Sequence, residues 1–113
     1  MTRARYVVGI TPDASVSPEM VTAFADYYDH VHIPEVVAAN AGFLSGKRWE
    51  LIPGLQDGSP TWLTVYELED ESAADHYLAR RQRATSGVSY TPGPVSWELM
   101  PVVWRALFRE GPA

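Results

Sequence analysis

The sequence predicts an α+β fold of the ferredoxin-like type, βαββαβ with an antiparallel sheet, in one domain over residues 1–113. Short runs rich in β-branched and aromatic residues alternate with two segments of helical periodicity, and turns rich in proline and glycine separate them. This order of elements is the split βαβ arrangement. Apolar residues also lie on both faces of several predicted strands, whereas the helices would cover one face. The other face is therefore expected to pack against a second copy of the chain.

The first strand is predicted at residues 5–11, which are rich in β-forming side chains. Its two apolar faces favour a central position in the sheet. Ser17 is a good N-cap, and it begins a helix that is predicted to run to about Ile33. Pro34 lacks an N–H group and disfavours helical geometry at the residue before it, so we expect the helix to break there. A short further turn follows at residues 34–39.

Alternating polarity and turn signals define the second half of the chain. The predicted elements are strands at 43–52 and 61–69, a helix at 72–84, a loop at 85–93 and a fourth strand at 95–100. Pro101 is expected to end the fourth strand. Residues 102–108 are again β-prone and carry several large apolar side chains, so they are predicted to extend onto a partner subunit.

Composition excludes several classes of protein. The net charge is −5 without a basic run, which argues against binding to nucleic acid or to an anionic membrane. The sequence has no cysteine, which excludes disulfide and thiolate chemistry and fits a cytoplasmic protein. No apolar run approaches the roughly 20 residues of a membrane helix, and no signal peptide is predicted.

The stretch from Tyr27 to Glu35 concentrates the residues that can carry chemistry. On a helix, Tyr28 and His32 are one turn apart and share a face. An unperturbed imidazole has a pKa of about 6.5, so His32 could accept and return a proton near neutral pH. The alternative is that His32 caps the end of the helix and packs against Tyr28.

Several residues of this stretch and of the following strands resemble a known family. Tyr28-Asp29, His32-Ile33-Pro34-Glu35, Gly42-Phe43, Arg48-Trp49 and Tyr66-Glu67 resemble the EthD-like branch of the dimeric α/β-barrel superfamily, over about residues 5–100. Relatives in that branch include cofactor-free polyketide cyclases, lactone isomerases, quinone-forming monooxygenases and proteins without assigned activity. The resemblance implies a homodimer with a pocket between sheet and helices in each subunit. It also implies that His32 is the acid/base or substrate-orienting residue and that Glu35 belongs to the site.

The candidate residues fall into two groups. The predicted catalytic residues are His32, Tyr28 as a hydrogen-bond donor to an oxyanion, and Glu35 as a group that orients His32. The predicted substrate-binding residues are Arg48, Trp49, Tyr66, Trp97 and His30. For two of these a structural role is the alternative: His30 could pair with Asp26 or Asp29 at the surface, and Arg48 could pair with Glu50 or Glu67. Trp49 stands where tyrosine is commoner in the family that the sequence resembles.

The sequence therefore predicts an enzyme without metal or organic cofactor. His30 and His32 are two residues apart on a helix and point in different directions, which argues against a shared metal ion. We expect acid/base cyclisation, isomerisation, elimination or decarboxylation of a small apolar, oxygenated molecule of aromatic or polyketide type. The alternatives are a cofactor-independent monooxygenase of an electron-rich phenol and a non-catalytic ligand-binding or accessory protein.

Overall fold

A computed structural model of the chain describes residues 2–83 and 89–112. In chain order its elements are β1 (Ala4–Ile10), α1 (Pro18–Tyr27), a π-helical turn (Tyr28–His32), α2 (Ile33–Ala39), β2 (Phe43–Glu50), β3 (Trp62–Leu68), α3 (Glu71–Arg81) and β4 (Val102–Arg109). The predicted end of the last helix at Ala84, and residues 85–88 of the predicted loop, lie outside the described residues.

The four strands form one antiparallel sheet in the order β2-β3-β1-β4. In the register of the sheet, Tyr6 lies opposite Tyr66 on one side and Leu107 on the other. The predicted α+β class and antiparallel sheet are therefore confirmed, and the topology is compatible with a ferredoxin-like fold. The central position predicted for β1 is also confirmed.

Pro34 does not break the first helix, so that prediction was wrong. Ser17 does cap α1, its hydroxyl accepting the N–H of Met20 at 3.3 Å. The backbone then stays helical from α1 through the π-helical turn into α2, with the N–H of Ile33 bonded to the carbonyl of Tyr28. Such an i→i+5 bond encloses one more residue than an α-turn does. The wider turn accommodates the proline ring, which would clash with a carbonyl one regular turn earlier.

The predicted fourth strand at residues 95–100 was also wrong. The hydroxyl of Ser96 accepts the N–H of Glu98 at 3.2 Å, and its carbonyl accepts the N–H of Leu99 at 3.0 Å. These local bonds close a turn and leave its backbone unavailable to a sheet. Val95 and Met100 are buried, so the apolar residues that suggested a strand belong instead to a folded turn in the core.

The fourth strand is β4, at Val102–Arg109, and it pairs with β1 of the same chain. The prediction that residues 102–108 extend onto a partner subunit was therefore wrong. The β-prone residues of this segment complete the edge of their own sheet. Its register shifts beside Gly9, where Trp104 is the partner and Val103 is the additional residue.

The core lies between the helices and one face of the sheet, here called the inner face. The inner face contributes the alternate residues Tyr6, Val8 and Ile10 of β1 with Trp62, Thr64, Tyr66 and Leu68 of β3. The opposite, outer face carries large apolar side chains that stay exposed, among them Trp49, Trp104 and Phe108. In the described part of the chain, no helix is both long and apolar enough to cross a membrane.

Candidate functional site

A cavity of about 250 Å³ opens between the inner face of the sheet and the helices. The sheet contributes Tyr6 and Tyr66 to its wall, the π-helical turn contributes Tyr28 and His32, and the turn at residues 95–100 contributes Trp97. These residues include four of the predicted site residues, Tyr28, His32, Tyr66 and Trp97, which come from three separate segments of the sequence. A cavity of this size suits a small molecule of one or two rings.

His32 lies in an aromatic enclosure at the wall of this cavity. Its ring stacks on Tyr28, with centroids 5.3 Å apart and planes inclined by 23°. Trp97 and the edge-on ring of Tyr90 approach it with centroid distances of 4.8 Å and 5.3 Å. The Nδ1 atom is buried and forms no hydrogen bond with the described residues. Among the described residues, the contacts that position the ring are therefore aromatic packing contacts.

Burial lowers the pKa of His32 below its ordinary value of 6.5, and the negative charge of Glu35 opposes this effect in part. Desolvation has this direction because the apolar surroundings disfavour the imidazolium. His32 is accordingly neutral at pH 7, with one ring nitrogen available as a proton acceptor. A neutral imidazole is the form that a general base requires.

Three tyrosines of the cavity, Tyr6, Tyr28 and Tyr66, have a pKa shifted in the opposite direction, which favours the protonated form. Burial is the main cause that raises the pKa values of Tyr6, Tyr28 and Tyr66. Buried phenols of this kind serve as hydrogen-bond donors rather than as bases. Tyr28 shares a hydrogen bond of 2.7 Å with the hydroxyl of Thr64, which is also buried.

A chain of hydrogen bonds reaches Tyr6 from helix α3. Arg81 donates to the hydroxyl of Tyr77 at 3.3 Å, and Tyr77 donates to the hydroxyl of Tyr6 at 2.9 Å. Tyr6 therefore accepts the last bond and keeps its own hydrogen free for another acceptor. A group bound in the cavity could accept that hydrogen bond.

Glu35 borders the site without contacting the histidine through a hydrogen bond. Its carboxylate accepts the N–H of Thr91 at 2.9 Å and the hydroxyl of Thr91 at 2.8 Å. These bonds lower the pKa of Glu35, so the group is ionised at neutral pH. Its described contacts connect α2 to the chain around Thr91, and its action on His32 is through charge.

Three predicted substrate-binding residues do not line this cavity. Arg48 donates two hydrogen bonds to Asp29, at 2.8 Å and 2.9 Å, and it also lies 3.4 Å from Glu50. His30 is exposed, with its Nδ1 atom 3.1 Å from a carboxylate oxygen of Asp26. Trp49 is on the outer face of the sheet. The pairing that was the alternative for His30 is therefore present, as is the Arg48–Glu50 pair.

The cavity also contains residues that were not predicted from the sequence. They are Tyr6, Tyr77, Arg80, Arg81, Tyr90 and Arg105, with the smaller Val8, Val36 and Val102. The alternation of β1 and β4 could have identified Tyr6 and Arg105, had β4 been assigned correctly. Spacing along α3 could have identified Tyr77 and Arg81, which are one turn apart.

The comparisons with known proteins identify a family but no activity. The family described as a domain of unknown function (DUF4286) matches residues 11–87, which is more than half of the chain, and the chain belongs to this family. The search of curated proteins finds no match. The family description names no EthD-like branch, so the resemblance to that branch stays a prediction.

Proposed function

We propose that this member of the DUF4286 family is a cofactor-free enzyme of general acid/base type, acting on a small, apolar, oxygenated and aromatic molecule. The observation that carries the proposal is the neutral imidazole of His32 within an aromatic cavity, beside the protonated phenols of Tyr6 and Tyr28. This combination provides one proton acceptor beside several hydrogen-bond donors. The EthD-like resemblance of the sequence is consistent with such chemistry and remains part of the proposal.

The reaction begins when His32 removes a proton from a carbon next to a carbonyl group of the substrate. The electron pair of the C–H bond forms the enolate, and negative charge develops on the carbonyl oxygen. The hydroxyl hydrogen of Tyr6, whose oxygen accepts the bond from Tyr77, stabilises this oxyanion. The imidazolium then returns the proton at another position, or to a leaving group, which gives isomerisation, cyclisation or elimination.

The experiment follows proton removal directly and does not require the natural substrate. The protein is incubated in D₂O with enolisable aromatic ketones, such as 1-tetralone and 2-tetralone, and NMR measures deuterium incorporation next to the carbonyl. We expect exchange that depends on the protein and falls about 10²- to 10⁴-fold in His32→Gln. His30→Gln is the matched control, because His30 is an exposed histidine two residues away. Exchange that is unchanged in a folded His32→Gln variant would refute the proposal.

Oxygen separates this proposal from the monooxygenase alternative. Proton transfer needs no oxidant, so the exchange rate should be the same in air and under strict anaerobiosis. A requirement for oxygen would favour the monooxygenase. Tight ligand binding without any exchange or product would favour a non-catalytic binding protein.

We propose in addition that the working form is a homodimer joined through the outer face of the sheet. Trp49 on β2 and Trp104 and Phe108 on β4 are about half exposed there, at 55%, 43% and 51%. Val7 lies between them at the centre of the face, where it is opposite Val65 and Ala106. An apolar face that extends across all four strands is typical of a surface that a partner covers.

Cytoplasmic location likewise remains a prediction from composition.

A further inference from the structure

Three arginines reach the cavity from two different elements. Arg80 and Arg81 come from the end of α3, and Arg105 comes from β4, where it is opposite Val8 on the inner face. The guanidinium carbon of Arg80 lies 5.3 Å from the ring centroid of Tyr77, and Arg80 approaches the hydroxyl of Tyr90 at 3.5 Å. Its Nε atom is buried and forms no hydrogen bond with the described residues.

These arginines form no ion pairs with carboxylates in the described structure. The salt bridges found there involve Arg3, Arg5, Arg48 and Arg109, together with His30. No residue that lines the cavity is acidic, and residues 84–88, which lie outside the description, are Ala-Thr-Ser-Gly-Val. The chain has 14 acidic residues against 9 basic ones, so acidic partners are not scarce in its composition. Among the described residues that line the cavity there are thus three guanidinium groups and no carboxylate, and the carboxylate of Glu35 at its border is bonded to Thr91.

We infer that this cavity binds an aromatic molecule that carries a carboxylate. The inference rests on the proposed function, because it names the substrate class of the same site. The aromatic walls formed by Tyr66, Tyr28 and Trp97 contact the ring, and the guanidinium groups of Arg81 and Arg105 bind the carboxylate. A planar guanidinium matches the two oxygens of a carboxylate, and such charge-assisted bonds are stronger than neutral ones.

A structural role for the arginines makes a different prediction. Arg80 and Arg81 both lie against the ring of Tyr77, with guanidinium carbons 5.3 Å and 5.8 Å from its centroid. If packing on Tyr77 were their whole role, replacing these arginines should lower the stability of the fold without reducing a preference for carboxylate ligands. Arg105 has no such contact among the described aromatic residues, and its substitution is therefore the more informative one.

The test compares ligands that differ in charge but share one aromatic body. Isothermal titration calorimetry is run with 2-naphthoate, the uncharged 2-naphthamide and 2-naphthyl phosphate, and with the corresponding single-ring compounds. We expect the carboxylates to bind at least about tenfold more tightly than the amides. Arg105→Gln and Arg81→Gln should each reduce that preference, and the double variant should abolish it. Arg83→Gln is the matched control: Arg81, Arg83 and Arg105 are all exposed, but Arg83 does not line the cavity, so its substitution removes the same charge near the same helix end without changing the site.

Each outcome bears on the inference. Equal affinity for acids and amides, no binding of any acid, or a preference that persists in the double variant would overturn it. Tighter binding of the phosphates than of the carboxylates would also overturn it and would identify a phosphate ester as the ligand class. Calorimetry measures binding without turnover, so failure of deuterium exchange would refute the acid/base function while leaving the carboxylate preference in place. Deuterium exchange with neutral ketones but no preference for acids would support the acid/base function and refute the carboxylate inference.

Discussion

The imidazole of His32 lies over the phenol ring of Tyr28, with ring centroids 5.3 Å apart, and the hydroxyl of that phenol is bonded to Thr64 at 2.7 Å. The contact joins the π-helical turn to the middle of β3 through one aromatic ring. Because Nδ1 of His32 has no hydrogen-bond partner in the part of the chain that the structure describes, the described contacts that hold the histidine are this stack and the rings of Trp97 and Tyr90. The stability of the fold and the geometry of the candidate base are therefore coupled at Tyr28.

Replacing Tyr28 with phenylalanine should destabilise the fold by about 1–3 kcal/mol, because it leaves the buried hydroxyl of Thr64 without its partner. Urea denaturation measures the loss. The double variant Tyr28→Phe/Thr64→Val removes both polar groups, so it should recover much of the stability. If the double variant were as unstable as the sum of the two single variants, the two hydroxyls would not be coupled.

The stability of the protein should depend on pH through His32. Burial lowers the folded-state pKa below the ordinary 6.5, so the unfolded chain takes up this proton first as the pH falls. The stabilising contribution is fully present above pH 6.5 and decreases as the pH falls from there through the folded-state pKa. Urea denaturation between pH 5 and pH 8 measures the slope. His32→Gln should flatten that slope, whereas the same change at the exposed His30 should retain it; an unchanged slope in His32→Gln would contradict the assigned environment.

The order of the elements could be predicted from the sequence because their signals are local. Ser17 caps a helix through its own side chain, and the alternation of residues 61–69 requires no distant partner. The failures were at Pro34, at residues 95–100 and at residues 102–108, where local signals do not decide which element forms. Contacts with the core stabilise a π-helical turn before Pro34, where the sequence predicted a break. They also stabilise a turn closed by Ser96, where the sequence predicted a strand.

Four of the thirteen residues that line the cavity were predicted from the sequence, and the other nine were not. His32 and Tyr28 are one helical turn apart, so spacing alone indicates that they share a face. Tyr6 and Arg105 share the cavity because β1 pairs with β4, whereas the sequence pattern predicted the fourth strand at residues 95–100. Arg48 was predicted in the site, but Asp29 binds its guanidinium group away from the cavity.

Gly46 should not tolerate even one additional methyl group. A Cβ atom at this position would lie 2.6 Å from Cδ1 of Tyr66 and 2.8 Å from Cγ2 of Ile33. Gly46→Ala should therefore cost about 1–3 kcal/mol of stability through overpacking, and displacement of Tyr66 should weaken the binding of 2-naphthoate as well. Gly111→Ala is the control, since no atom lies within 4 Å of its added Cβ. Equal stability of the two variants by urea denaturation would contradict the close approach of β2 to Tyr66.

The proposed dimer can be tested by placing a charge on the outer face of the sheet. Trp104→Glu puts a carboxylate on a strand that would face the partner subunit, and its burial without a counter-ion is unfavourable. Because both copies carry the change, we expect the dimer dissociation constant to rise at least about thirtyfold, measured by sedimentation equilibrium. Leu55→Glu is the control, because Leu55 is an equally apolar residue that is 99% exposed and lies in the turn between β2 and β3. A folded monomer of the unchanged chain at micromolar concentration would refute the dimer, whereas equal weakening by both substitutions would place the interface elsewhere.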